Sequence, residues 1–357
     1  MTVYLVNVLL LLAWAALLLW HRPDRVKRAL FCGVASMQWI MISGLRHPSI
    51  GADTYAYRYS FYQTLATPWG QVINDVAGTY FGTLGLKDPG YAVFVKAVQL
   101  VTHEYQVFLV IVAALFMIPF GVMVYRHSSD PFISFLVYST LFFEFFAITG
   151  TRQTIATALV VLIGYPLIVK KRFVPFLALA AVAFTIHKSA LVFLPFAFLA
   201  DREVSRRAAL RVGLVAIVIF VLRNPIGYLL ASVFFPEEQY LAVYAGAGAW
   251  TFSALLILLA IVAFSRLGLV LSAQPKARHW YNAVLVGLLC LPLTFRNPSA
   301  MRVVQYFTLF LVLLIPAVIR SFRMKDERAL AYWAVIAALG FLFVQKNPQY
   351  LFFWQPA

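Results

Sequence analysis

Four short stretches of the chain carry side chains able to act together chemically. The first runs Arg46-His47-Pro48-Ser49-Ile50-Gly51-Ala52-Asp53-Thr54-Tyr55 and is followed by Arg58. The second is Gly150-Thr151-Arg152-Gln153, and the third is Phe184-Thr185-Ile186-His187-Lys188-Ser189. The fourth, Phe295-Arg296-Asn297-Pro298-Ser299-Ala300-Met301-Arg302, places Gln305 and Tyr306 one turn beyond its last arginine. Arginine's planar fork donates two parallel hydrogen bonds to one pair of oxyanion atoms, so a set of arginines suits phosphate. A cation beside His187 favours its neutral, basic imidazole. Tyr55, Tyr59 and Tyr62 recur at helical spacing, and a tyrosine ring can stack on the apolar face of a sugar. A shared anionic ligand accounts for the arginines as a group.

Each residue also has a plainer reading. Basic side chains near a helix end snorkel to lipid phosphates, which explains Lys87 and Lys346 well. Tyrosines at one height form an interfacial belt, and a lone histidine at a membrane interface is more often structural than catalytic. The snorkelling account is weaker for Arg46, Arg58, Arg152, Arg296 and Arg302, because it does not explain why all five occupy the same side.

That side is defined by the elements around them. Of the 357 residues, 63% are hydrophobic and only 12% charged, with a mean hydropathy of +0.85. So few charges cannot make a water-exposed surface, which excludes a soluble globular protein. A net charge of +16 would suit nucleic acid, but the 29 Lys and Arg are scattered as short clusters between apolar runs, so no nucleic-acid partner is expected. Cys32 and Cys290 both sit in apolar runs and supply neither a disulfide framework nor a cysteine metal site.

A membrane-crossing helix needs about 20 apolar residues. Such stretches lie near 2–20, 28–45, 104–125, 131–149, 152–169, 173–187, 189–200, 208–222, 250–272, 280–295, 302–320 and 329–344. The expected fold is therefore all-α and polytopic, a single integral-membrane domain over 1–357 with about 12 transmembrane helices. The basic flank at 21–28 is assigned to the cytoplasm by the positive-inside rule, with the N-terminus outside. Threading onward, the segments 126–130, 170–172, 201–211, 276–278 and 320–328 are also inside, and with the first flank they hold 18 of the 29 basic residues. The segment 46–103 becomes a long outer loop carrying short helices between the second and third spans, with a helix over 53–65 capped by Asp53 or Thr54. A smaller outer loop follows at 223–249. All four chemical stretches then face outward.

The ordered set of Arg46, Asp53 and Tyr55, a central T-R-Q-x-I-A, a downstream F-x-x-H-K-S-A-L and a terminal N-P-x-Y resembles the EpsG-type, Wzy-like polysaccharide polymerases. The resemblance implies a GT-C-like membrane glycosyltransferase of the bacterial cytoplasmic (inner) membrane, with its active site facing outward. It implies donor and acceptor glycans carried on undecaprenyl pyrophosphate, no nucleotide sugar, membrane lipids as surroundings and a chain-length regulator protein as a further partner. Pyrophosphate gains charge as it leaves, so fixed cations placed against it lower the barrier. Arg152, Arg296 and Arg302 are candidates, with Arg46 or Arg58 at the second phosphate and Lys188, Tyr55, Gln153 and Tyr306 completing the binding set. Either His187 or Asp53 could take the proton from the attacking hydroxyl. The carboxylates expected outside, Asp53, Asp75, Asp88, Glu104, Glu237 and Glu238, are too dispersed to suggest a divalent-metal site, so no cofactor is expected. The rivals are a lipid-linked glycan ligase, which would carry a larger late loop, a transporter or flippase of lipid-linked sugars, which would place its charges at mid-membrane, and an acyltransferase.

Overall fold

The computed structural model describes residues 2–20, 23–82, 84–234, 243, 248–346 and 349–356. Residues 21–22 of the basic flank, residues 235–242 (with Glu237 and Glu238) and 244–247 of the expected 223–249 loop, and Asn347-Pro348 of the terminal motif lie outside the described residues; the start of that expected loop is a helix, Arg223–Phe234. Among those described, the regular structure is helical, and an isolated β-bridge joins Arg46 to Phe352. The chain forms two compact units, Met1–Leu194 with Val335–Ala357, and Pro195–Ala334.

The first unit opens with α1 (Thr2–Leu19) and α2 (Arg25–Gly44). Asp24 caps α2 by accepting the Lys27 amide at 2.7 Å, which ends the polar flank and starts the apolar helix. Helix α2 packs along α6 (Tyr105–His127). Small residues permit this close approach: a Cβ on Gly44 would lie 2.5 Å from Val110, and one on Gly121 would lie 2.3 Å from the Ser36 hydroxyl. Packing of this kind, more than water exclusion, holds helices together in lipid. Trp39 fills the adjacent core beside Tyr4, Tyr138 and Phe143, and its indole N–H donates to Ser139 at 3.1 Å.

Between α2 and α6, the 46–103 segment is built from three short helices, α3 (Thr54–Ala66), α4 (Trp69–Phe81) and α5 (Gly90–Val98). Helix α3 starts one residue later than the spacing predicts. Asp53 stands at its N-cap position without a side-chain capping bond, and the Thr54 hydroxyl donates to the Ile50 carbonyl at 2.7 Å. Tyr57 and Phe61 form its buried face against α5 and α6, while Tyr55, Tyr59 and Tyr62 are exposed. Lys96 closes the far end by donating to the Thr64 and Leu65 carbonyls at 3.1 and 3.0 Å. These two bonds give Lys96 a structural role.

Beyond α6, helix α7 (Pro131–Val137) continues through π-wound turns at Tyr138–Phe142 and Glu144–Thr149. Helix α8 (Thr151–Thr157) then passes through a third π turn, Ala158–Ile163, into α9 (Gly164–Val169). Helix α10 (Phe173–Ile186) has only 14 residues and stops at His187, whose backbone is extended (φ −158°, ψ 110°), before a 3₁₀ turn over Lys188–Phe193. The boundary between the 173–187 and 189–200 stretches is therefore an elbow between two short helical segments.

The second unit is built mainly from helices that bend near their middles. Breaks of 85°, 68° and 51° divide the apolar stretches following Arg206, Trp250 and Pro298. Within it, Asn282 ties down the Ala200 and Arg202 carbonyls at 2.9 and 2.8 Å, and Asp201 holds His279 at 2.8 Å and Arg278 at 3.2 Å. Across the described residues, four helices are long and apolar enough to cross a membrane, or seven if each bent pair is one span. Three further apolar helices have 10–17 residues.

Candidate active site

The third chemical stretch meets the second around a residue belonging to neither. Asp88 lies in the Asp88-Pro89-Gly90 turn that starts α5, with φ at +52°, a conformation rare for a side chain larger than glycine. Gly90 lets this turn press against the end of α10: a Cβ there would stand 2.1 Å from the Thr185 hydroxyl and 2.8 Å from its carbonyl carbon. The turn delivers the Asp88 carboxylate to the His187 elbow. Its Oδ2 lies 3.1 Å from Arg152 Nη1 and 3.3 Å from His187 Nδ1, and its Oδ1 accepts the Lys188 backbone N–H at 3.1 Å.

Burial and charge define the state of the group. The Asp88 side chain is 2% exposed, His187 10% and Arg152 26%, so the cluster opens on its arginine side. Burial alone would raise the Asp88 carboxyl. The His187 hydrogen bond, the charges of His187 and Arg152 and the Lys188 amide outweigh it and hold Asp88 below the usual carboxylate range. An ionised carboxylate only accepts, so the hydrogen between it and His187 belongs on Nδ1. In the neutral ring, Nε2 then carries the lone pair. Arg152 is fixed a second time: its Nε approaches the Tyr57 hydroxyl at 3.5 Å, and its guanidinium lies 5.6 and 5.8 Å from the Tyr57 and Tyr91 ring centres. The arrangement is an oriented imidazole beside an anchored, partly open guanidinium.

The EpsG family model matches residues 29–353, nearly the whole chain, and spans all four chemical stretches. The chain belongs to the EpsG family. No curated protein and no solved structure matches it significantly. EpsG membership and the apolar helices make it a multi-pass membrane protein with a polysaccharide-polymerase type of role.

The remaining sequence candidates of this EpsG chain are distributed unevenly. Gln153 is buried on α8 directly after Arg152. Arg46 is 3% exposed and donates to the Ser43 carbonyl, and the cavity beside it measures about 10 Å³, room for roughly one water and not for a phosphate. Asp53 is half-buried at the start of α3, with Tyr55 and Arg58 exposed on that helix. Lys188 joins the cluster through its backbone amide. Three candidates belong to the second unit. Arg296 is buried, its side chain against Gly227, Arg302 is half-buried, and Tyr306 is wholly buried on the helix Met301–Thr308.

Asp88 is the residue that sequence reasoning passed over. It reads as one of several scattered carboxylates, and no motif spacing connects it to positions 64 and 99 residues downstream. Its signal was the Asp-Pro-Gly turn, which marks a tight chain reversal but not what the reversal delivers.

Proposed function

We propose that this chain is a membrane glycosyltransferase that joins glycan repeat units carried on undecaprenyl pyrophosphate, at the outer face of the bacterial cytoplasmic membrane. The observation carrying this reading is the Asp88 carboxylate held between His187 and Arg152. An acceptor hydroxyl gives its proton to His187 Nε2 as its oxygen bonds the anomeric carbon of the donor glycan. The bond from that carbon to the pyrophosphate oxygen breaks, and the electron pair leaves with the pyrophosphate. Asp88 acts through His187, orienting the ring and stabilising the imidazolium. Arg152 faces the leaving group, where charge grows during the step and a fixed cation stabilises the transition state more than the ground state. His187 is preferred over Asp53 as base because it has an orienting partner.

In this proposal Arg58, Lys188, Tyr55 and Gln153 of the first unit contribute to binding the lipid-linked donor and acceptor, as do Arg296, Arg302 and Tyr306 of the second, and Arg46 supports the fold of its own unit. On this reading, arginines supply the positive charge in place of a metal, and the lipid pyrophosphate donor takes the place of a nucleotide sugar. In this proposal the chain has about twelve spans in a GT-C-like arrangement, with the 46–103 segment outside. The test is elongation by the purified protein of an undecaprenyl-pyrophosphate-linked repeat unit. Products longer than one unit support the reading. Transfer only to a different lipid-linked acceptor would mean a ligase, and transbilayer movement without bond formation would mean a flippase.

A further inference from the structure

The opposite end of the first unit carries a feature that the transfer reaction does not use. A groove of about 530 Å³ runs between α6 and the α8–α9 stretch, within the size range of ligand sites. Its α6 wall is a stripe at helical spacing that includes Ala114, Ile118 and Val122, and its other wall includes Leu162, Ile163 and Pro166. The lining is almost wholly apolar until the last turn of α6, where Arg126 and His127 close it. From Ile111 to Arg126 the helix rises about 22 Å at 1.5 Å per residue, more than half of a roughly 30 Å hydrocarbon core.

Local chemistry keeps the two walls apart. Pro119, inside α6, removes a backbone hydrogen bond and adds ring bulk. Opposite it, the π turn Ala158–Ile163 inserts an extra residue into the helical winding. Ala114 leaves room where a larger side chain would fill the gap. At the closed end, the buried Tyr165 ring meets His127 edge-on at 5.9 Å.

The charged rim is concentrated at that end. Lys170, Lys171 and Arg172 follow α9 one turn beyond Pro166, and Lys170 N–H donates to the Pro166 carbonyl at 3.2 Å. All three, like Arg126, are exposed. Among the described residues none of the four forms an ion pair with a carboxylate. The nearby Asp24 and Asp130 cap their own helices. Arg28 reaches the same end, donating to the Ser128 carbonyl at 2.9 Å. Arg152 begins α8 and Val169 ends α9, so this rim and the Asp88 cluster occupy opposite ends of one stretch.

We infer that this groove is a binding site for an anionic phospholipid, with one acyl chain along α6 and the headgroup phosphate among Arg126, Lys170, Lys171 and Arg172. An apolar trough alone would accept any lipid. The uncompensated cations at one end select for a negatively charged headgroup, each contributing about five-fold near an anionic surface.

The experiment is native mass spectrometry of the full-length protein in detergent, offered equal amounts of phosphatidylglycerol and phosphatidylcholine with identical acyl chains. Phosphatidylglycerol should be retained at least several-fold better. Arg126→Gln combined with Lys171→Gln should abolish most of that preference while leaving chain binding. Ile118→Trp, at a position 58% exposed and hence safe for folding, should lower retention of both lipids, and Ala114→Leu should do the same from deeper in the groove. Equal retention of the two lipids, unchanged retention in both groove-filling variants, or displacement of the lipid by millimolar inorganic phosphate would each overturn the proposal.

Discussion

Replacing Asp88 by asparagine exchanges one carboxylate oxygen for an NH₂ group with almost no change of volume, so it isolates the carboxylate's role. Aspartate uses both oxygens here, one for the Lys188 amide and the other for Arg152 and His187 together. Asparagine has one oxygen and one NH₂ group, and all three neighbours donate. If the oxygen stays with Lys188, the NH₂ faces Arg152 and drives His187 to accept at Nδ1. The ring hydrogen then moves to Nε2, and the proposed base disappears. If the amide flips, the partly buried Lys188 N–H loses its acceptor, at a cost of about 1 kcal/mol. The same substitution behind the histidine of a serine-protease triad lowers turnover about 10⁴-fold, and loss of a general base alone costs about 10²–10⁴. We therefore expect Asp88→Asn to elongate about 10²–10⁴ times more slowly while still binding the lipid-linked donor. Its stability should fall by about 2 kcal/mol, below the usual cost of breaking a fully buried pair because Arg152 is a quarter exposed. The assay is single-turnover elongation by purified protein, with a donor-binding measurement and a melting curve on the same preparation. A folded Asp88→Asn protein that elongates at more than about a third of the wild-type rate would refute the reasoning.

The pH dependence follows from the same carboxylate. Because the Asp88 value is depressed in the fold, its contribution to stability is present above the ordinary carboxylate range and lost as pH falls through the lower, folded value. The gap in melting temperature between wild type and Asp88→Asn should therefore close as pH falls below the ordinary carboxylate range. Arg152→Lys should lower elongation at least ten-fold with donor affinity reduced as well, because an ammonium cannot meet Asp88, Tyr57 and a phosphate in one plane; normal product yield from an evenly expressed variant would count against the leaving-group role. Gly90→Ala should cost about 1–3 kcal/mol through the Thr185 clash, and calorimetry of Gly90→Ala with Thr185→Gly should recover part of it. Cysteine placed at Lys171 should be labelled only from the cytoplasm, and labelling from outside would reverse the proposed topology.

Much of the fold is legible along the chain because its determinants are local. Apolar run length, the Asp24 and Asp130 caps and the Pro and Gly breaks all act within a few residues, so each apolar stretch became helical close to its expected bounds. The helix expected over 53–65 forms at Thr54–Ala66, and the break at His187 forms where two polar residues interrupt an apolar run. Bends at Leu222, Arg266 and Leu309-Phe310 were not legible, because hydropathy reports composition and not direction.

The chemical stretches were identifiable by residue type, since arginine, histidine and tyrosine reveal what they can bind wherever they stand. Their grouping was not. Arg46 and Arg152 look alike in sequence, each a basic residue at the end of an apolar run. Only packing buries the first against Ser43 and opens the second beside Tyr57 and Tyr91. Asp88 meets Arg152 and His187 across 64 and 99 residues because Gly90 allows α5 to approach α10. A contact of that separation is encoded by the shapes of two helices and the absence of one Cβ, and no spacing rule along the chain contains it.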